Sequence, residues 1–324
     1  MTPKCDGSQP TAPLTVEVRP RWPFRLPRGS GGDGTASWRR GVLCRLLHVE
    51  GRPVLVRAWQ PGRKRVMLRA DPLDPSQVVC PTLIGGPEAQ EPASAEQLEL
   101  AIERMRFAIG VDDDYSDFRE SVRGDRLLEP LIRRYSTLRP RRRPWHWEAL
   151  AWAVTAQLIE ARRAAGIQRR IVRRWGPRVG SGRAALGDVP GAAVIAGRAP
   201  AELQSTDLSA GRSVALRSVA RMAGKLDLGD PASDRRLQEV AGIGPWTVQC
   251  LGLFGRGDLD SLPAGDLGYV KLVGHLAGEG RRATVEEVER FYAPYEPYRG
   301  LAATFTLRGL HHLVAKGPPL RLAA

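Results

Sequence analysis

The residues that could do chemistry lie close together in the second half of the chain. Leu237-Gln-Glu-Val-Ala-Gly-Ile-Gly-Pro-Trp-Thr-Val-Gln-Cys-Leu251 carries two glycines, Gly242 and Gly244, with Pro245 directly after them. Glycine tolerates positive φ and close backbone approach, and proline suits the first position of a helix, so the stretch reads as a tight hairpin between two helices. The first helix should run from Asp230-Pro231 to Val240, with Leu237, Val240, Ile243, Val248 and Leu251 packing the pair together. Such a hairpin points backbone N–H groups at the start of a helix, where they can grip a phosphate without reading a base. By itself, Gly-x-Gly is also compatible with a plain turn. Beyond it comes Asp258-Leu-Asp-Ser-Leu-Pro-Ala-Gly-Asp266-Leu-Gly-Tyr-Val-Lys271. Asp258 and Asp260 read as turn or capping residues. Asp266 can cap a helix continuing through Lys271, a role compatible with chemistry at the same carboxylate.

The elements that must position these residues fall into two classes. From Leu14 to about Ala70 the pattern has period two, as in Gly41–Glu50, Val54–Ala58 and Arg65–Arg69, punctuated by Gly51-Arg52 and Pro61-Gly62. Arg28–Ser37, rich in Gly and Ser, is expected as a mobile loop and Ile84–Ser94 as a connection. After residue 95, apolar residues recur at helical spacing in Ala95–Ile109, Phe118–Tyr135, Trp145–Trp175, Ser213–Met222 and Val285–Tyr292. The expectation is an α+β protein: a small N-terminal antiparallel β domain over 14–95, then an all-helical body over 96–318 with the hairpin at 234–255. No fixed-period repeat is visible. Leu138-Arg-Pro-Arg-Arg-Arg-Pro144 reads first as a solvated basic linker, with a nucleic-acid contact as the alternative.

Composition narrows the partner. Lys plus Arg total 49 against 35 Asp plus Glu, a net charge of +14, which favours a polyanion and nucleic acid first. Only Lys4, Lys64, Lys225, Lys271 and Lys316 are lysines, a bias a GC-rich genome would also produce. Cys5, Cys44, Cys80 and Cys250 lack the spacing of a zinc or iron–sulfur set and are expected as reduced thiols. His48, His146, His275, His311 and His312 likewise show no ligand spacing. No apolar stretch reaches membrane-spanning length, and residues 1–13 lack a secretory pattern. A cytoplasmic protein, with no membrane association, is expected.

The hairpin with its Trp246 and the following Pro263-Ala-Gly-Asp266 resemble the helix-hairpin-helix DNA glycosylase superfamily, specifically the 3-methyladenine DNA glycosylase II (alkylbase) type. The resemblance implies base excision repair. A damaged base, flipped from double-stranded DNA, would be cut at its N-glycosidic bond with Asp266 as the catalytic carboxylate. A fixed negative charge stabilises the oxocarbenium-like sugar and can orient or deprotonate water. Gln157-Leu158, following Trp147–Ala156, matches the family's pair at the DNA face, where the leucine would wedge into the gap left by the base; the bland alternative is an ordinary core leucine. Gly242, Ile243, Gly244 and Thr247 would contact DNA. The base pocket would contain Trp246, Cys250 and Leu307. Met105–Phe118 is similar to the family's approach to the helical body, with Asp112–Asp114 as caps. Residues 14–80, including Val16–Phe24, are loosely similar to its extra N-terminal domain.

Departures bear on substrate and mechanism. Cys250 stands where a Tyr is expected and Leu307 where a Trp is expected, so attraction between an aromatic face and a cationic base should weaken; Phe305, Tyr292, Tyr295 and Tyr298 are the candidates to substitute. Trp246 occupies the place where lyase members carry a lysine, implying hydrolysis only, to an abasic site. No cysteine follows Cys250, which excludes the iron–sulfur branch. No cofactor or metal is required, although relatives can hold a monovalent cation on hairpin carbonyls, around Val240–Ile243. No obligate protein partner is evident and a monomer is expected. The competing readings are a non-catalytic DNA-binding protein, a glycosylase for deaminated or oxidised bases, and an unrelated helical protein with a structural hairpin.

Overall fold

The computed structural model describes residues 11–28, 32–79, 91–182, 185–278 and 280–314, with side chains to Gly309. Cys5, Cys80, Lys4, Lys316 and most of the expected connection at 84–94 lie outside the described residues, as do three residues of the expected loop at 28–37.

Five strands form an antiparallel sheet: β1 (Leu14–Val18), β2 (Ala36–Arg39), β3 (Val42–Val49), β4 (Arg52–Gly62) and β5 (Arg65–Pro72), in the order β1-β5-β4-β3-β2. Alternation drives it. Val54, Val56 and Ala58 on β4 and Val66, Leu68 and Ala70 on β5 point to one face, and that face is covered by α1 (Ala95–Ile109) through Leu98, Ala101, Ile102 and Met105. α1 starts in a full capping box between Ser94 and Gln97 and ends at Gly110, whose φ of 67° suits only glycine well. A short strand, β6 (Val78–Val79), leaves this unit.

The helical body continues with α2 (Ser116–Ser121), α3 (Leu128–Arg134), α4 (His146–Ala156) and α5 (Ala161–Trp175). The two long helices expected over 118–135 and 145–175 are therefore four. Gly124, at φ 80°, and the Asp125 carboxylate, which accepts the N–H groups of Leu127 and Leu128, separate the first pair. The second break falls at Leu158. Nor is the body all-helical: β7 (Arg178–Val179) and β8 (Leu186–Gly187) form a three-stranded sheet with β6, in segments too short for period-two patterning to register. Then follow α6 (Ala192–Ala196), α7 (Pro200–Gln204), α8 (Ala210–Ala223), α9 (Ser233–Gln238), α10 (Pro245–Leu251), α11 (Leu267–Leu276), α12 (Val285–Tyr292) and α13 (Arg299–Val314). The helix before the hairpin is shorter than expected; Asp230 caps only the turn ahead of it, accepting from the Ala232 N–H.

Among the described residues two large helical cores result, with a smaller cluster of Leu127, Leu131, Leu272 and Leu276 between α3 and α11. One joins α4, α5 and α8 to the hairpin through Leu150, Ile171, Leu216, Leu237, Val248 and Leu251; the other joins α2, α3, α11, α12 and α13 through Phe118, Leu128, Val273, Val288 and Phe305. α10 belongs to the first and α11 to the second, so whatever lies between their ends sits at a seam.

The basic run 138–144 is a staple rather than a solvated linker. The Arg139 and Arg142 side chains are buried, Arg142 pairs with Asp113, and Arg139 lies over the Phe24 ring at 5.0 Å. Arg143 donates to Asp33 at 2.6 Å and to Glu148 at 3.1 Å. Counting charge cannot distinguish an arginine facing water from one folded inward onto acids.

Candidate active site

Asp266 is the N-cap of α11: its Oδ1 accepts the Gly268 N–H at 2.7 Å, which stabilises the helix start by about 1 kcal/mol and fixes the carboxylate. Among the described residues no hydrogen bond ends on its Oδ2. Across the seam, Trp246 at the second position of α10 lies 3.9 Å from where a Cβ on Gly265 would stand. Cys250, one turn further along α10, is buried and close enough to feel Asp266: burial, and next that negative charge, push its thiol well above the ordinary value and keep it neutral. Leu307 of α13 closes the side, its Cδ1 2.8 Å from a Cβ built on Gly268. Trp246, Cys250, Asp266 and Leu307 are thus brought together.

Sequence reasoning passed over Tyr269. Burial, then Tyr292, Asp266 and Cys250, push its phenol well up, so a second neutral group backs the carboxylate. Its position one turn after an N-capping Asp was the available signal. The indole Nε1 of Trp246 is buried without a hydrogen-bond partner, a deficit costing about 1–3 kcal/mol that an acceptor on a bound molecule could relieve. Asp258 and Asp260 have the roles expected of them. Asp258 accepts from the Asp260 N–H, while Asp260 pairs with Arg299 and accepts its backbone N–H at the head of α13.

The hairpin is compact. Gly242 has φ 86°, Gly244 is extended at the head of α10, and Ile243 donates its N–H to the Val240 carbonyl at 3.0 Å. Ile243 itself is buried in the first core, so only its backbone is left for an outside partner. Thr247 is fully buried, and its hydroxyl accepts from Gln157 Nε2 at 2.9 Å; the same amide donates to the Gly242 carbonyl at 2.8 Å. The side chains of Gln157 and Thr247 therefore tie the hairpin to the α4–α5 connection instead of facing outward. What that tie presents is Leu158, 87% exposed, with φ 55°. It is not a core leucine.

No family model matches the chain. Over 209 residues, 62% of this chain and 69% of the relative, it is 23% identical to a DNA-3-methyladenine glycosylase of Bacillus subtilis. It is 29% identical over 231 residues to a probable bifunctional transcriptional activator/DNA repair enzyme of Mycobacterium tuberculosis, covering 68% of this chain but only 45% of that longer protein. Its fold superposes on the 3-methyladenine DNA glycosylase from Archaeoglobus fulgidus with a TM-score of 0.74 at 18% identity, covering 93% of this chain and 100% of that one. In fold the chain is similar to that 3-methyladenine DNA glycosylase, and in sequence it is similar to the two proteins just named. The first of these relatives is named as a 3-methyladenine glycosylase and the second as a DNA repair enzyme.

The four aromatics that could substitute in the pocket pack as follows. Phe305 and Tyr292 are completely buried, Tyr298 stacks on Phe118 at 5.4 Å between ring centres, and Tyr295 donates to Asp125. All four belong to the second core or pack against it. Among the described residues no three His, Cys, Asp or Glu side chains gather as metal ligands. No helix among them is long and apolar enough to cross a membrane.

Proposed function

We propose that the chain is a monofunctional DNA glycosylase of base excision repair, hydrolysing the N-glycosidic bond of a flipped alkylated base in duplex DNA. The observation that carries the reading is the meeting of a fixed carboxylate, Asp266, with the hairpin side chains Trp246 and Cys250 at the seam of two cores.

The base enters the seam against the Trp246 ring, its departure from the duplex offset by Leu158 filling the stack. Cleavage breaks the bond between the sugar C1′ and the base nitrogen, whose electron pair leaves with the base. An N-alkylated purine already carries the positive charge that makes it a ready leaving group. The sugar becomes oxocarbenium-like, and the Asp266 carboxylate faces it. Water then adds at C1′ and gives up a proton, with Asp266 as acceptor or relay, leaving an abasic site. Cys250 and Tyr269, both held neutral, add no competing charge. Trp246 has no amine to form a Schiff base, which supports hydrolysis without strand cleavage. On this reading the enzyme works as a cytoplasmic monomer on double-stranded DNA without a cofactor, and Val240 and Ile243 offer carbonyls to any monovalent ion.

The test is base release from alkylated duplex by wild type and Asp266→Asn, with strand breaks scored before and after alkali. Wild type should release base with breaks only after alkali, and the variant should be slower by at least about 100-fold. Equal rates remove Asp266 from the chemistry; breaks before alkali remove the monofunctional reading.

A further inference from the structure

On the other flank of the Leu158 connection stands a cluster of arginines that the catalytic reading does not use. Arg212, in the first turn of α8, donates from Nη1 to the Thr155 carbonyl at 3.0 Å and from Nε to Ser209 Oγ at 2.9 Å. Thr155 is three residues before Leu158. Ala215, on the same helix, would lie 3.3 Å from a Cβ on Gly242, so α8 abuts the hairpin as well. Arg163, in the first turn of α5 just after Leu158, pairs with Asp207 at 3.2 Å, and Arg170, two turns on, pairs with the same carboxylate at 3.1 Å. Asp207 holds φ 73° to do so.

Arg163 and Arg170 thus share one carboxylate, while Arg212 beside them is held by a carbonyl and a hydroxyl. Desolvation, and next the charge of Arg163, disfavour the charged form of Arg212, with Asp207 opposing only in part. Crowding like charges gains the isolated protein nothing. Beside an exposed leucine at the lip of a duplex it provides what a phosphate needs.

We propose that Arg212 and Arg163 form a second phosphate clamp, gripping the DNA backbone beside Leu158 and complementing the hairpin, with Asp207 setting how strongly the cluster attracts DNA. The proposal rests on the reading of Leu158 as the residue that enters the duplex. Arg212 orients the clamp from the connection itself, and Arg163 supplies mobile charge.

The experiment is fluorescence anisotropy of an undamaged, labelled duplex titrated with the full chain across a range of KCl, comparing wild type with Arg163→Ala, Arg212→Ala and Asp207→Asn. Each Arg→Ala should weaken binding several-fold and lower the slope of log affinity against log salt by about one. Asp207→Asn, tolerated at positive φ, should tighten binding and steepen the slope. Thermal melts separate roles: Arg212→Ala losing stability with an unchanged slope makes that residue a loop anchor only and overturns its part in the clamp. Unchanged affinity and slope in Arg163→Ala and Asp207→Asn overturn the clamp as a whole. Because the probe is undamaged, wild type failing to bind duplex at all would count against the DNA reading itself, whereas wild-type binding with indifferent variants would sink only the clamp.

Discussion

Leu158 combines a left-handed backbone, at φ 55°, with a side chain 87% exposed, and a leucine there costs roughly 1–2 kcal/mol relative to an ordinary conformation. The surroundings hold it in place: Gln157 is fastened to Gly242 and Thr247, and the Ile159 N–H closes onto the Ala156 carbonyl at 3.4 Å. Strain kept at an exposed apolar residue agrees with the wedge role proposed for Leu158. Leu158→Asn separates the two consequences, since asparagine tolerates the left-handed region but is a poor wedge. It should raise the melting temperature by about 2 °C and lower kcat/KM for base release from duplex roughly tenfold, the few kcal/mol of base extrusion being less well offset. A variant both less stable and fully active would show that Leu158 packs rather than wedges.

At the scale of elements, the sheet is fastened to the helical body by buried charge. Arg45 of β3 donates to Glu148 of α4 at 2.9 Å, Arg143 bridges Glu148 and Asp33, and Asp33 also accepts from the Trp152 indole at 3.1 Å. Burial alone would push Asp33 up, but Arg143 and Arg45 outweigh it and hold the carboxyl down to about 2. Glu148 goes the other way, burial raising it against the pull of the same arginines. Asp33→Asn leaves buried guanidinium under-compensated and should cost about 3 kcal/mol at neutral pH. Asp33 binds its proton more weakly folded than unfolded. Its contribution is therefore complete above the ordinary value of 3.8 and fades as pH falls toward about 2. The stability gap between wild type and variant, from urea melts, should shrink over that window as Asp33 takes up its proton; a gap constant with pH would remove Asp33 from the network. This staple also marks the limit of what pattern reading could find. Alternation exposed the strands, and glycine, proline and Asp266 exposed the hairpin and the helix it caps, because those signals are local. The inward turn of 138–144, the break at Leu158 and the neutral Tyr269 behind the carboxylate depend on partners distant in sequence, which periodicity does not see.

For the molecule as a whole, the net charge of +14 is a long-range field laid over a short-range site. The two should respond differently to salt. Encounter with DNA depends on phosphates neutralised by arginines and backbone N–H groups, and on the counterions they release, so it weakens steeply as ions compete. On the proposed mechanism, bond cleavage depends on Asp266 beside Trp246 inside the seam, a short-range arrangement that screening by added ions affects less than it does the long-range field. Raising salt from about 50 to about 200 mM should therefore weaken binding of undamaged duplex by about tenfold or more. The single-turnover rate of base release at saturating enzyme should meanwhile change by less than about twofold, since the screened field no longer limits a bound complex. Rapid-quench single-turnover kinetics at both salt concentrations, with enzyme in large excess, make the measurement. A saturated rate that falls in step with affinity would mean that the basic surface does more than deliver DNA: it would have to hold the flipped base at Asp266 throughout the chemical step, and the arginines beside Leu158 would be the first to substitute.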